Sequence, residues 1–159
     1  MGGRFLSKEL SYATFTIDGK LFGILIEDVQ EILRPLEVTE VPLASLAFNG
    51  LINLRGNIVL AVRMRQQLGL PTMDAKFCMN IILKLRDEFY SLQVDSVADV
   101  VVVQKDDFEI PPETLPMEIR RFITGTYKVD NKLLHVLDIE QILEDKSLSL
   151  KEKQSEILV

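Results

Sequence analysis

One cysteine, Cys78, and one histidine, His135, are all that the 159 residues hold of those two types. A lone cysteine excludes an intramolecular disulfide, and a lone histidine removes most histidine-based metal sites. No apolar run approaches the roughly 18 residues that a membrane span needs, so no membrane insertion is expected. The N-terminal stretch Met1-Gly2-Gly3-Arg4-Phe5 runs into charged Lys8 and Glu9, which is not the pattern of a signal peptide. Acidic residues outnumber basic ones, 24 to 18, for a net charge of −6. That balance argues against sequence-independent binding of nucleic acid, which depends on clustered Lys and Arg. Gly-rich phosphate loops, metal-ligand clusters and nucleophile elbows are all missing. The expectation is a cytoplasmic protein with no catalytic residue, no metal site, no cofactor and no nucleic-acid partner.

What the chain does have is alternation. In residues 11–17, Ala13, Phe15 and Ile17 fall on one face and Tyr12, Thr14 and Thr16 on the other, the period of a half-buried strand. Asp18-Gly19 supplies a tight turn, and Phe22, Ile24 and Ile26 continue the inward face. Phe77, Met79, Ile81, Leu83 and Leu85 make another apolar face. Arg86-Asp87-Glu88 then marks a turn before Phe89.

The alternation repeats. A shift of 75 positions lays Gly50 on Gly125, Leu54 on Val129, Val62 on Leu137, Met64 on Ile139 and Leu68 on Leu143. Under it the turn Arg55-Gly56-Asn57 meets Asp130-Asn131-Lys132. Ile58 and Val59 meet Leu133 and Leu134. A second shift, of 68, lays Phe22, Ile24 and Ile26 on Tyr90, Leu92 and Val94, and Val29 and Ile32 on Val97 and Val100. Two matches in series indicate two paired subdomains of several short strands each. Halves of about 65 residues are small for separate cores and should pack on one another. Short strands with frequent turns point to small barrels rather than an open parallel sheet.

Two short helices are expected among the strands. Residues 27–33 place Val29, Ile32 and Leu33 at helical spacing, and Asp138 with Gln141 three positions on forms an N-cap pair ahead of Ile139, Ile142 and Leu143. The division that follows is an arm at 1–10 and a folded part at 11–145, split near 74 and 75. A helical tail follows at 146–159. His135 reads as a structural or surface histidine, since no nucleophile or carboxylate lies beside it in sequence. Cys78 reads as a buried, inert thiol. The carboxylates Glu27, Asp28, Glu31, Asp95 and Asp99 fit the wet face of short helical turns better than an acid–base pair. Arg55, on the tip Asn53-Leu54-Arg55-Gly56, can present its donor fork to a partner's carboxylate.

These residues resemble the CheW family of chemotaxis coupling proteins over about residues 12–143. The resemblance is carried by Asp18-Gly19-Lys20-Leu21-Phe22-Gly23-Ile24 with Val29-Gln30-Glu31-Ile32, by Val38-Thr39-Glu40-Val41-Pro42, and by Gly50-Leu51-Ile52-Asn53-Leu54-Arg55-Gly56-Asn57-Ile58-Val59. Val94-Asp95-Ser96-Val97, Ile123-Thr124-Gly125 and residues 133–138 complete it. The family pattern implies a mostly β fold of two SH3-like five-stranded barrels on a shared core, with short helices and a C-terminal helix. It also implies an adaptor without catalysis. One partner would be the regulatory domain of a CheA-type histidine kinase, met through barrel ends. The other would be the cytoplasmic hairpin tip of a methyl-accepting chemoreceptor, held in a groove between barrels. Further CheW-like domains are implied neighbours in receptor arrays at the membrane. Carried onto matching positions, the receptor groove would use Ile26, Val29, Glu31, Arg55, Val97 and Val100. The alternative within the fold is a CheW-like scaffold of a non-flagellar pathway for surface motility or development. An enzyme on small barrels lacks its catalytic constellation. The chain departs from the family in reading Leu60-Ala61-Val62-Arg63-Met64-Arg65 where Pro-Val-Ile-Asp-Leu-Arg is usual. An Asp at 63 could cap the following turn and an Arg cannot. Ser91 stands where Gly is common.

Overall fold

A computed structural model of the chain describes residues 8–42, 45–48 and 50–144. Among them are eleven strands in two sheets. β1 (Glu9–Ile17), β2 (Lys20–Leu25), β9 (Ser96–Gln104), β10 (Ile123–Val129) and β11 (Lys132–Leu137) form one sheet in the order β10-β11-β2-β1-β9. β3 (Val29–Leu33), β4 (Thr39–Glu40), β5 (Gly50–Leu54), β6 (Asn57–Arg63), β7 (Met79–Leu85) and β8 (Glu88–Val94) form the other, in the order β3-β7-β8-β6-β5-β4. Two single-turn helices, α1 (Met64–Gln67) and α2 (Met117–Arg120), interrupt the strands. This is the mostly β, two-barrel SH3-like arrangement that the sequence led us to expect.

Four two-residue turns make the hairpins, and in each both central residues have positive φ. The pairs are Asp18 and Gly19 at 51° and 76°, Arg55 and Gly56 at 51° and 86°, Arg86 and Asp87 at 51° and 66°, and Asp130 and Asn131 at 45° and 62°. Turns of that hand match the right-handed twist of the strands they join. Glycine at the second position removes the steric cost in the first two, and the Gly56 amide is also held by the Asn53 side chain at 3.1 Å.

The internal repeat holds at the level of register. In the β1–β2 hairpin Tyr12 faces Leu25 and Ile17 faces Lys20. Shifted by 68, these become Asn80 facing Gln93 and Leu85 facing Glu88, the observed pairs of β7 and β8. The parallel pairing of Leu134 with Leu21 becomes, under the shifts of 75 and 68, that of Val59 with Phe89. Gly50 and Gly125 also correspond. A Cβ on Gly50 would sit 2.6 Å from a Val38 methyl, and one on Gly125 would run into the Phe108 ring, so each barrel needs a bare backbone at that point.

The barrels do not divide the chain at residue 74, however. One is built from residues 9–25 and 96–137, the other from 29–94. The strand that follows each hairpin leaves it for the other one. Val29 of β3 pairs with Leu83 of β7, and Val97 of β9 pairs with Phe15 of β1, the same pairing at a shift of 68. Sequence repeat and barrel are therefore different units, because each repeat gives its first hairpin to one barrel and its remaining strands to the other. The expected helix at 27–33 is also corrected: Ile26–Asp28 form a single 3₁₀ turn and Val29–Leu33 are β3. The β3–β7 register breaks between Val29 and Glu31. Val29 and Leu33 are half-buried while Ile32 is exposed, so their helix-like spacing in sequence does not mark one face.

One core joins both sheets. Phe15, Phe22 and Ile24 from the first pack in one cluster with Val62, Ile81 and Leu92 from the second, all at most 1% exposed. A smaller cluster around Tyr127 and Leu134 fills the first barrel, and one around Ile52 and Val59 fills the second. Residues 139–144 are helical, and the Asp138 carboxylate accepts from the Gln141 amide at 3.1 Å, the expected N-cap. Arg63, at the matching place before α1, makes no capping bond and pairs instead with Glu40 at 2.8 Å. β1 starts at Glu9, inside the stretch assigned to an arm. Residues 1–7 and the tail 146–159 lie outside the described residues.

Both lone residues are buried, Cys78 as expected and His135 as the structural of its two readings. Burial and then the charge of Lys20 push the His135 imidazole below its ordinary value, and its Nδ1 lies 3.0 Å from the Thr126 hydroxyl. Burial, foremost, pushes the Cys78 thiol up. Ser91 is buried too, its hydroxyl donating to Asn80 Oδ1 at 2.8 Å.

Candidate functional site

A bidentate ion pair on the surface joins two elements. Arg55 sits at the β5–β6 turn with φ of 51°, and the turn aims its guanidinium back across the sheet. Its Nη1 and Nη2 donate to the two carboxylate oxygens of Glu31 on β3 at 2.6 and 2.5 Å. The hydrogen bond from Arg55, chiefly, holds the Glu31 carboxyl below its usual range, and the same bond raises the Arg55 value. The pair remains open to solvent, with side chains 64% and 33% exposed. Arg55 therefore meets a carboxylate of its own chain, not a free fork awaiting a partner. A bidentate pair on a tight turn and a bulged strand fixes both charges in direction, and its exposure limits what it adds to stability.

The apolar candidates divide. Ile26 on the 3₁₀ turn, Val29 on β3 and Val97 on β9 are half-buried and pack against the shared core. Val29 and Val97 occupy matching positions in the two barrels. Val100 is 58% exposed, on β9. The structure thus joins Glu31 to Arg55 and joins Ile26, Val29 and Val97 through the core, while Val100 stands on the outside of the first barrel.

Four large aliphatic side chains at repeat-related positions are exposed. Ile32 and Val100, related by the shift of 68, are 40% and 58% exposed. Ile58 and Leu133, related by the shift of 75, are 62% and 40% exposed. Each barrel accordingly shows a large aliphatic side chain at the same two places.

Asp95 lies elsewhere than expected. It is no free carboxylate on a helical turn: Arg65 binds it with Nε at 2.8 Å and Nη2 at 2.6 Å, and the Asp18 amide donates to it at 2.8 Å. Both side chains of the ion pair are under one-fifth exposed, 18% and 17%. Burial opposes its charge, but the bonds from Arg65 and Asp18 outweigh it, and the carboxyl is held below the usual range. The pair ties α1 and the β8–β9 joint of one barrel to the hairpin tip of the other.

Among the described residues no three His, Cys, Asp or Glu side chains are grouped to hold a metal ion, and no helix is long and apolar enough to cross a membrane. Two duplicated barrels with matched exposed aliphatic side chains and an exposed bidentate ion pair define a paired-barrel module. The chain belongs to the CheW-like domain family, whose model matches residues 11–147. It is similar to the chemotaxis protein CheW of Bacillus subtilis, 29% identical over 134 residues, covering 84% of this chain and 86% of that one. It is also similar to the chemotaxis protein CheW of Treponema pallidum, 26% identical over 146 residues, covering 89% and 86%. The crystal structure of the scaffolding protein TtCheW from Thermoanaerobacter tengcongensis superposes with a TM-score of 0.75 at 25% identity, covering 86% of this chain and 88% of that chain.

Proposed function

We propose that the chain is a non-catalytic adaptor of chemotaxis that couples chemoreceptors to a CheA-type histidine kinase. The observation that carries this reading is the match to CheW proteins over nearly the whole folded part, in sequence and in structure. Ile26, Val29, Glu31, Arg55, Val97 and Val100 are the proposed contacts with the receptor hairpin tip. Burying a large aliphatic side chain fully contributes about 1.5–3 kcal/mol, so the apolar members supply affinity. The Glu31–Arg55 pair supplies orientation. The exposed matched positions, Ile32 with Val100 and Ile58 with Leu133, suit contacts in which either barrel meets another barrel, as the kinase regulatory domain or a further CheW-like domain would offer. Such contacts would recruit the protein to receptor arrays at the membrane.

The internal ion pair suggests a sharper test than a single substitution. In an assay reconstituted from receptor, kinase and this protein, Arg55→Glu should lower receptor-dependent kinase activity by setting two carboxylates together. The exchange Glu31→Arg with Arg55→Glu restores an ion pair of reversed direction. If that pair only positions the surface, the exchange recovers coupling; if a partner reads Arg55 itself, it does not. Full coupling by Arg55→Glu alone would remove this pair from the site.

A further inference from the structure

The two edge strands that the repeat relates end differently. β3 and β9 correspond under the shift of 68, and each holds the outermost place in its sheet. β3 stops at Leu33, ahead of Arg34 and Pro35. A charge beside a proline blunts an edge, since neither lets another strand pair there. The matching positions on β9 are Val102 and Val103, and that strand runs on to Gln104. From Val100 to Val103 it carries neither charge nor proline.

Backbone direction shows which side of β9 is turned outward. The Lys105 amide donates to the Lys8 carbonyl at 2.8 Å. Backbone groups alternate along a strand, and the register is unbroken from Glu9 with Gln104 to Ala13 with Val100. Val103 and Val101 therefore also turn their amides and carbonyls to β1, while Val100 and Val102 turn theirs away from it. Among the described residues no strand lies on that side. The Val100 and Val102 side chains are 58% and 57% exposed.

We propose that β9 pairs antiparallel with β9 of a second copy of the chain, about a two-fold axis at Val101. Val100 of each copy then faces Val102 of the other and exchanges both backbone hydrogen bonds with it. Charge favours this occupant and this register. Asp99 and Lys105 are both exposed, and among the described residues neither makes an ion pair. The pairing sets Asp99 of each copy diagonally across from Lys105 of the other, within reach of a long side chain. Val100 is also a proposed receptor contact, so on that reading a paired chain is closed to a receptor there.

The pairing itself needs no receptor, and sedimentation velocity of the full chain at about 10 µM to 1 mM tests it. The expected result is a sedimentation coefficient that rises with concentration from monomer to dimer. Val102→Pro should keep the fold and hold the chain monomeric, because it removes an amide that β1 does not use. Asp99→Lys should weaken the dimer about tenfold, and Asp99→Lys with Lys105→Asp should restore it. A monomer at every concentration would overturn the proposal. So would a dimer that either Val102→Pro or Asp99→Lys leaves unchanged.

Discussion

At the joints where each barrel meets the other's hairpin tip, the matched helix positions carry opposite charges, Arg65 and Glu140. In one junction a cation on the helix, Arg65, binds Asp95, which also holds the backbone of Asp18 at the β1–β2 turn. In the other the matching helix position is an anion, Glu140, and it accepts from Arg86 at the β7–β8 turn at 2.7 Å. Register is kept while sign is reversed. What the fold requires at these joints is complementarity, and the duplication left each copy free to reach it with either polarity. The joints differ in weight, too. Arg65 and Asp95 are 18% and 17% exposed, whereas Arg86 and Glu140 are 76% and 57% exposed.

The largest effect should come from ignoring the difference and striking what the barrels share. Phe22→Ala removes a fully buried ring from the common cluster and should cost about 3–5 kcal/mol. Because that cluster spans both sheets, chemical denaturation should show one transition for both barrels. Two separate transitions would mean that the halves hold independent cores.

Next comes the buried joint. Arg65→Ala leaves a largely buried carboxylate without its charged donor, and the loss should be about 1.5–3 kcal/mol by equilibrium denaturation. The same joint should show in acid. Asp95 has a folded value below its unfolded one, so its contribution is present above the unfolded carboxyl value of about 3.9 and is lost as pH falls through the lower folded value. Wild type should therefore lose more stability between neutral pH and about pH 3 than Arg65→Ala does; equal losses would show that Asp95 gains nothing from the pair. The smallest effect belongs to the exposed joint, where Arg86→Ala should change stability by about 0–1 kcal/mol. Equal costs for the two arginines would break the comparison.

Much of this was legible in the chain. Asp18-Gly19 and Arg55-Gly56 announce their turns, the shifts of 68 and 75 announce the paired barrels, and Asp138 with Gln141 announces a helix start. The strand exchange was not, because a repeat gives the order of strands but not which hairpin each one joins. β3 was hidden by Ile32, an aliphatic side chain on its exposed face that gives the strand a helix-like apolar spacing. Glu31 and Arg55 could each be nominated, yet their pairing across 24 positions depends on how β3 and the β5–β6 turn are brought together. Exposure of Ile32 and Ile58 was equally hidden, since hydrophobicity alone does not say which aliphatic side chains a small barrel leaves outside.

The adaptor reading is tested most directly by co-elution of the full chain with a chemoreceptor tip fragment and the regulatory domain of its cognate kinase. The account predicts a complex holding all three, with Arg55→Glu weakening the receptor contact while the kinase contact persists. Elution of the chain alone from both partners, at concentrations of about tens of micromolar, would contradict it.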